Sequence, residues 1–341
     1  MKKFMIKCAI VLASLTAGSV SVLADEMTFQ VDTVAPEKQM GENSGIYNLR
    51  LEPGEKTTVE VKVSNSADEN RTIQVTPTDS KTLSSGSIDY TPSDKTKDKK
   101  EYKFESLAKT DKLVEFKAHE TKNIPVEITM PAKEFKGVIL GGLYLQEAAD
   151  SAKSKSDKAE GMTINNKYAF TVPVMLSNND EAGKAELKLN SVKADNVSGY
   201  NKVVAEIEST QKNILKEATI EGKVTRKGEK EVLHEHKLEN VSFAPESKMN
   251  FGIDWTKDSF KPGTYVTAIK VTSPYGNWDW TKEFTIADKE SKKMNEKAVD
   301  IEPEKPNYLM YGIFGLLLIV VLLLIYLIVS KRKKEAKEKN D

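Results

Sequence analysis

The sequence predicts an all-β chain: two immunoglobulin-like β-sandwich domains in tandem, followed by one C-terminal transmembrane helix. Three observations predict it. Apolar residues recur with period two through nearly all of the chain between its ends, turn signals separate these runs at short intervals, and about 21 uncharged residues, Leu309 to Val329, precede a basic tail.

The N-terminus reads MKKFMIKCAIVLASLTAGSVSVLADE. Three lysines, an apolar run from Cys8 to Leu15, small residues and Val22-Leu23-Ala24 make the layout of a secretory signal peptide over 1–24. Cys8, the only cysteine, falls inside it. The exported chain therefore has no disulfide and no thiolate metal site, and its stability must come from its cores.

Alternation justifies the strands. In TTVEVKV, Val59, Val61 and Val63 share a face while Thr58, Glu60 and Lys62 point to water. The same pattern runs through Ile124, Val126, Ile128 and Met130, through Tyr168, Phe170, Val172, Val174 and Leu176, and through Tyr265, Thr267, Ile269 and Val271. Turns are marked by EPGEK at Glu52, SSGS at Ser84, TRKGEK at Thr225 and KPGTY at Lys261. No helix of useful length is predicted outside the C-terminal run.

These signals divide the chain into an N-terminal sandwich over 25–149, a linker or hairpin loop over 150–166 and a C-terminal sandwich over 167–288. A juxtamembrane linker follows over 289–308, then the transmembrane helix over 309–330 and a basic cytoplasmic tail over 331–341. The segment EAADSAKSKSDKAEGMTINNK fits a domain linker and a long hairpin loop equally well, so the boundary falls between 146 and 166. Basic residues after the apolar run predict a single-pass type I protein with its ectodomain outside.

The chain carries 51 basic and 51 acidic residues. Lys2, Lys3 and Lys7 give the leader +3, and six basic against three acidic residues give the tail +3, which leaves −6 on 25–307. Such a surface excludes nucleic-acid binding through bulk charge. There is no GxSxG, HExxH or Walker A signature, so the sequence predicts no enzyme and no cofactor. His119 lies in a turn, and His234 and His236 share a strand face with Val232 and Leu238, a spacing that could hold a metal but for which no third ligand is visible nearby.

Two stretches are candidates for partner contact. FKGVILGGLYL has apolar residues on both faces, and Gly141 and Gly142 remove a side chain from each, beside Tyr144. That permits close approach by another part of the same domain or by a partner chain. Trp278 and Trp280 share a face with Phe284 and Ile286, which suits a flat binding platform or a sandwich core.

With a leader, two sandwiches, an apolar run and a basic tail in place, the chain resembles the WxL-interacting proteins of low-GC Gram-positive bacteria. The matching pieces are FQVDTVAPEKQ, LEPGEKTTVEVKVSN, GSIDY and VEITMPAKEFKGVILGGLYL in the first domain, and NNKYAFTVPVML, NVSFAPESKMNF, FKPGTY and WDWTKEFTI in the second. The resemblance implies an N-terminal peptidoglycan-binding domain, a C-terminal domain binding host matrix proteins, and surface complexes with WxL proteins in the cell wall region.

Overall fold

The computed structural model describes residues 27–42, 44–93, 98–148, 168–181, 183–299, 301 and 308–338, with side chains in the last stretch described over 313–328. The leader expected over 1–24 and the linker or loop expected over 150–166 lie outside the described residues.

The first body contains β1 (Phe29–Val34), β2 (Tyr47–Arg50), β3 (Lys56–Asn65), β4 (Arg71–Asp79), β5 (Lys81–Thr82) and β6 (Ile88–Asp89). A one-turn helix α1 (Phe104–Leu107) follows, then β7 (Ala108–Lys109), β8 (Leu113–Phe116), β9 (Thr121–Thr129), β10 (Ile139–Glu147) and β11 (Ala169–Ser177). Two sheets, ordered β1-β3-β9-β7 and β2-β11-β10-β4-β8, share one hydrophobic core. Alternation sets the core face: Val59, Val61 and Val63 of β3 are fully buried, with Val59 opposite Val126 and Val61 opposite Ile124 of β9. Each such buried side chain stabilises the fold by about 1.5–3 kcal/mol.

The second body contains β12 (Leu187–Val197), β13 (Tyr200–Ser209), β14 (Leu215–Arg226), β15 (Val232–Phe243), β16 (Lys248–Asp254), β17 (Gly263–Ser273) and β18 (Gly276–Ile286). Its sheets are β12-β13-β16 and β15-β14-β17-β18. Aromatic rings fill the space between them: Trp255 lies 4.9 Å from Phe260 and 5.5 Å from Tyr265, which stacks on Phe284 at 5.5 Å.

Three sequence expectations are corrected. Ala169–Ser177, assigned to the second sandwich, pairs with β10 from Ile139 opposite Leu176 to Gln146 opposite Ala169, and runs parallel to β2. Alternation shows that a strand is half-buried but not which sheet it joins. The segment expected as a linker over 289–308 begins inside a second helix, α2 (Asp288–Asn295), docked on the second body. Asn295 accepts the Phe260 N–H at 2.9 Å and donates to the Phe260 carbonyl at 3.0 Å, and Val299 donates to the Gly199 carbonyl at 2.9 Å.

The third correction concerns the C-terminus. A helix, α3 (Tyr308–Glu338), is present, but among the described residues no helix is long and apolar enough to cross a membrane. This overturns the transmembrane helix expected over 309–330.

The two bodies meet in a polar seam. Val138 donates its N–H to the Lys212 carbonyl at 2.6 Å, and Ser242 donates to the Gly86 carbonyl at 2.7 Å. Thr82 and Ser247, both buried, share a hydroxyl–hydroxyl bond of 2.5 Å, and the Ala244 N–H donates to Thr82 Oγ1 at 2.9 Å. Gly137 makes this approach possible. Its φ is +89°, and a Cβ there would sit 1.9 Å from the Lys212 carbonyl oxygen.

Gly137→Ala should therefore destabilise the chain by about 2 kcal/mol or more, through left-handed backbone strain and displacement of Lys212. Gly54→Ala has comparable strain at φ +74° but open space around it, and should cost about 1 kcal/mol. Urea denaturation midpoints of the two variants check the difference.

Candidate functional site

Three places could carry function: the two-faced strand β10, the tryptophan strand β18, and the hollow between the bodies. The candidates on β10 and the two tryptophans of β18 lie in different bodies.

On β10, Ile139, Leu143 and Leu145 belong to the first core, and Leu140 is buried on the opposite face. Gly141 faces the core side, where a Cβ would lie 2.3 Å from the Phe104 ring. Phe104 is fully buried and comes from α1, which the sequence reading missed because one helical turn has no detectable period. Gly142 faces the other way, and a Cβ there would meet Tyr90 at 3.0 Å and Thr171 at 3.1 Å. Thr78 secures this cover by donating to the Tyr90 carbonyl at 2.6 Å. Both glycines thus admit neighbours from the same chain. Tyr144 is half-buried between Thr76 of β4 and Thr171 of β11.

Trp278 and Trp280 are half-buried on the edge strand β18 and pack against the second core, while Asp279 between them is exposed. The His234 ring lies 4.1 Å from that of Trp255, tilted by 35°, with Asp258 at 4.0 Å, and burial holds its imidazole below the ordinary value. His236 rests 5.4 Å from the Phe251 ring. His119 is exposed and lies 2.9 Å from Asp68. Among the described residues no three His, Cys, Asp or Glu side chains are placed to hold a metal.

A cleft of about 770 Å³ lies between the bodies. Its floor is the outer face of the β12-β13-β16 sheet, and its wall is the stretch Lys81–Ser84 of the first body together with Ser93 and Asp98. Sequence reading missed it because the wall, 81–98, and the floor, 191–254, come from segments far apart in the chain. Beside it, Asp98 accepts the Lys248 N–H at 3.1 Å and Lys100 donates to the Pro245 carbonyl at 2.7 Å. Burial pushes the Asp98, Asp79 and Glu246 carboxyls above their ordinary values and the Lys100 amine below its own. Lys212 pairs with Glu101 and lies 5.8 Å from the centre of the Tyr102 ring.

Two β bodies thus meet over a shared cleft. The chain belongs to the WxL-interacting protein family: residues 29–147 match its peptidoglycan binding domain and residues 159–296 its host binding domain. The second match begins before β11, although that strand completes the first body's sheet. No curated protein matches the chain. Similar solved structures include the CsuC–CsuE chaperone-tip adhesion subunit pre-assembly complex from archaic chaperone-usher Csu pili of Acinetobacter baumannii, at 12% identity over 75% of this chain and 98% of that one, with a TM-score of 0.33. The Salmonella enterica SafA pilin in complex with the SafB chaperone is another, at 9% identity over 76% and 98%, with a TM-score of 0.30. Likeness at that level carries no argument about function.

Two outcomes follow from this geometry. Gly141→Val should lower stability by about 1–3 kcal/mol by overpacking against Phe104, and Gly142→Ala, whose contacts are looser, should cost less; thermal melts would rank them. The second concerns pH. A carboxyl whose folded value is raised binds its proton more tightly in the folded chain, so stability rises as pH falls through the raised value and levels off below the ordinary value near about 4. Asp98→Asn keeps the acceptor for Lys248 and removes the buried charge. It should melt higher than the parent at pH about 7.5 and gain less on acidification to pH about 5.

Proposed function

We propose that this chain is a non-enzymatic cell-surface adaptor, which binds peptidoglycan through its first body and docks WxL proteins into a surface complex. The observation that carries this reading is the occurrence of the two family domains in order, 29–147 and 159–296, on bodies held together by a buried polar seam. An adaptor needs two binding surfaces in fixed relation, and hydrogen bonds between buried groups hold a relation that mobile linkers would not. The mild negative charge of the exported part suits a wall polymer recognised by shape and hydrogen bonds more than by ion exchange.

A second reading is an adhesin that contacts host extracellular-matrix proteins directly. The family description of residues 159–296 as a host binding domain favours it. The readings differ in what the second body grips.

Segment 27–181, which keeps β11 with the core it completes, should sediment with purified peptidoglycan, and segment 183–299 should not. Retention should change little between low and moderate salt. If only 183–299 sediments, the assignment of wall binding to the first body fails. Segment 183–299 should capture a purified WxL protein more tightly than immobilised matrix proteins, and the reverse order would favour the adhesin.

A further inference from the structure

We propose that the outer face of the sheet β2-β11-β10-β4-β8, centred on Tyr144, binds the glycan strand of peptidoglycan, an uncharged chain of N-acetylated hexosamine rings. This deepens the adaptor reading and rests on it for the wall as the source of the glycan.

Strand register assembles the face. Tyr144 stands on the central strand β10 directly between Thr76 of β4 and Thr171 of β11, and at the next outward position Gln146 stands opposite Gln74. Ile139, Leu143 and Leu145 turn into the core, so by alternation these residues turn away from it. In the other direction along β10, Gly142 has no side chain and Tyr90 lies against it. The face thus carries two half-buried tyrosines, at strand positions about 7 Å apart.

Charge and chemistry select the ligand. On β4, β10 and β11 the outward positions between Gln146 and Gly142 hold only Gln, Thr, Ala, Pro, Gly and Tyr, none of them charged. The outer face of the body's other sheet is different: Glu60 and Lys62 of β3 and Glu127 of β9 are exposed, and β3 and β9 contain no aromatic residue. The stem peptides of the wall polymer carry free carboxylates and amines, which call for ion pairs that the Tyr144 face does not offer. A sugar ring instead presents an apolar face of C–H groups and a rim of hydroxyl and acetamido groups. A tyrosine ring covers the first, and glutamine amides, each both donor and acceptor, serve the second. Gln146 donates to Gln74 Oε1 at 3.3 Å and Gln74 donates to Thr76 Oγ1 at 3.4 Å. These long bonds orient the two amides across the face and use only part of their hydrogen-bonding capacity.

Calorimetric titration of the full chain with an N-acetylglucosamine hexamer tests the proposal. Binding should be saturable and little changed by salt. Glycan strands released from peptidoglycan by an amidase should compete, and the released stem peptides should not. Tyr144→Ala should weaken binding about tenfold, and Tyr144→Phe, which keeps the ring, by less than about twofold. Gln146→Glu keeps the shape but replaces a donating amide by a carboxylate, and should weaken binding about fivefold. Lys62→Glu, on the other sheet, should leave it unchanged. Thermal melts identify the variants that fold, and Gln146→Glu decides alone if Tyr144→Ala does not. Absence of hexamer binding, competition by stem peptides alone, or undiminished binding by the folded Tyr144 and Gln146 variants would overturn the proposal. Wall sedimentation separates it from the adaptor reading. A parent chain that sediments with peptidoglycan but ignores the hexamer loses this face and keeps wall binding. One that binds the hexamer through Tyr144 but never sediments loses wall binding and keeps a glycan site on this face.

Discussion

The approach of the Gly137 backbone to the Lys212 carbonyl is the constraint on which the rest of the molecule depends. At this point the first body lays an uncovered stretch of main chain against the second, in a left-handed conformation where any side chain would collide. The Val138 N–H that follows is satisfied across the joint. Once this contact is made, Thr82 reaches Ser247, Gly86 reaches Ser242 and Asp98 reaches Lys248. The relation of the bodies, and with it the cleft, follows from a few hydrogen bonds whose desolvated groups would be costly to leave unpaired.

Inside the first body a similar rule operates at β10. A strand in the middle of a sheet with both faces covered has to accommodate what covers it, and two adjacent glycines let Phe104 approach from one side and Tyr90 from the other. The partners are local to the domain. The same segment continues from Gly137, so one stretch of chain serves both the seam and the centre of the first sheet.

The position of β11 alters how the family's two domains should be understood. Their sequence limits fall at 147 and 159, but the first sheet is complete only at Ser177. A polypeptide cut at 147 would leave β10 and β2 without their shared neighbour. The domains are therefore joined through the structure more intimately than their sequence limits suggest.

The sequence by itself determined which segments are strands and which face of each is apolar, because side-chain alternation is a property of neighbouring residues. It also determined that WxL-interacting motifs run in order along the chain. It misjudged the C-terminal part: hydropathy predicted a transmembrane helix over 309–330, and charge predicted a linker where α2 docks through Asn295. Only the tertiary structure decided which sheet receives Ala169–Ser177, what sits against Gly141 and Gly142, and that Lys81–Ser84 faces Lys248–Asp254 across a cleft. Those outcomes depend on contacts between residues tens to more than a hundred positions apart, and a period of two along the backbone carries no information about the partner a buried face will meet.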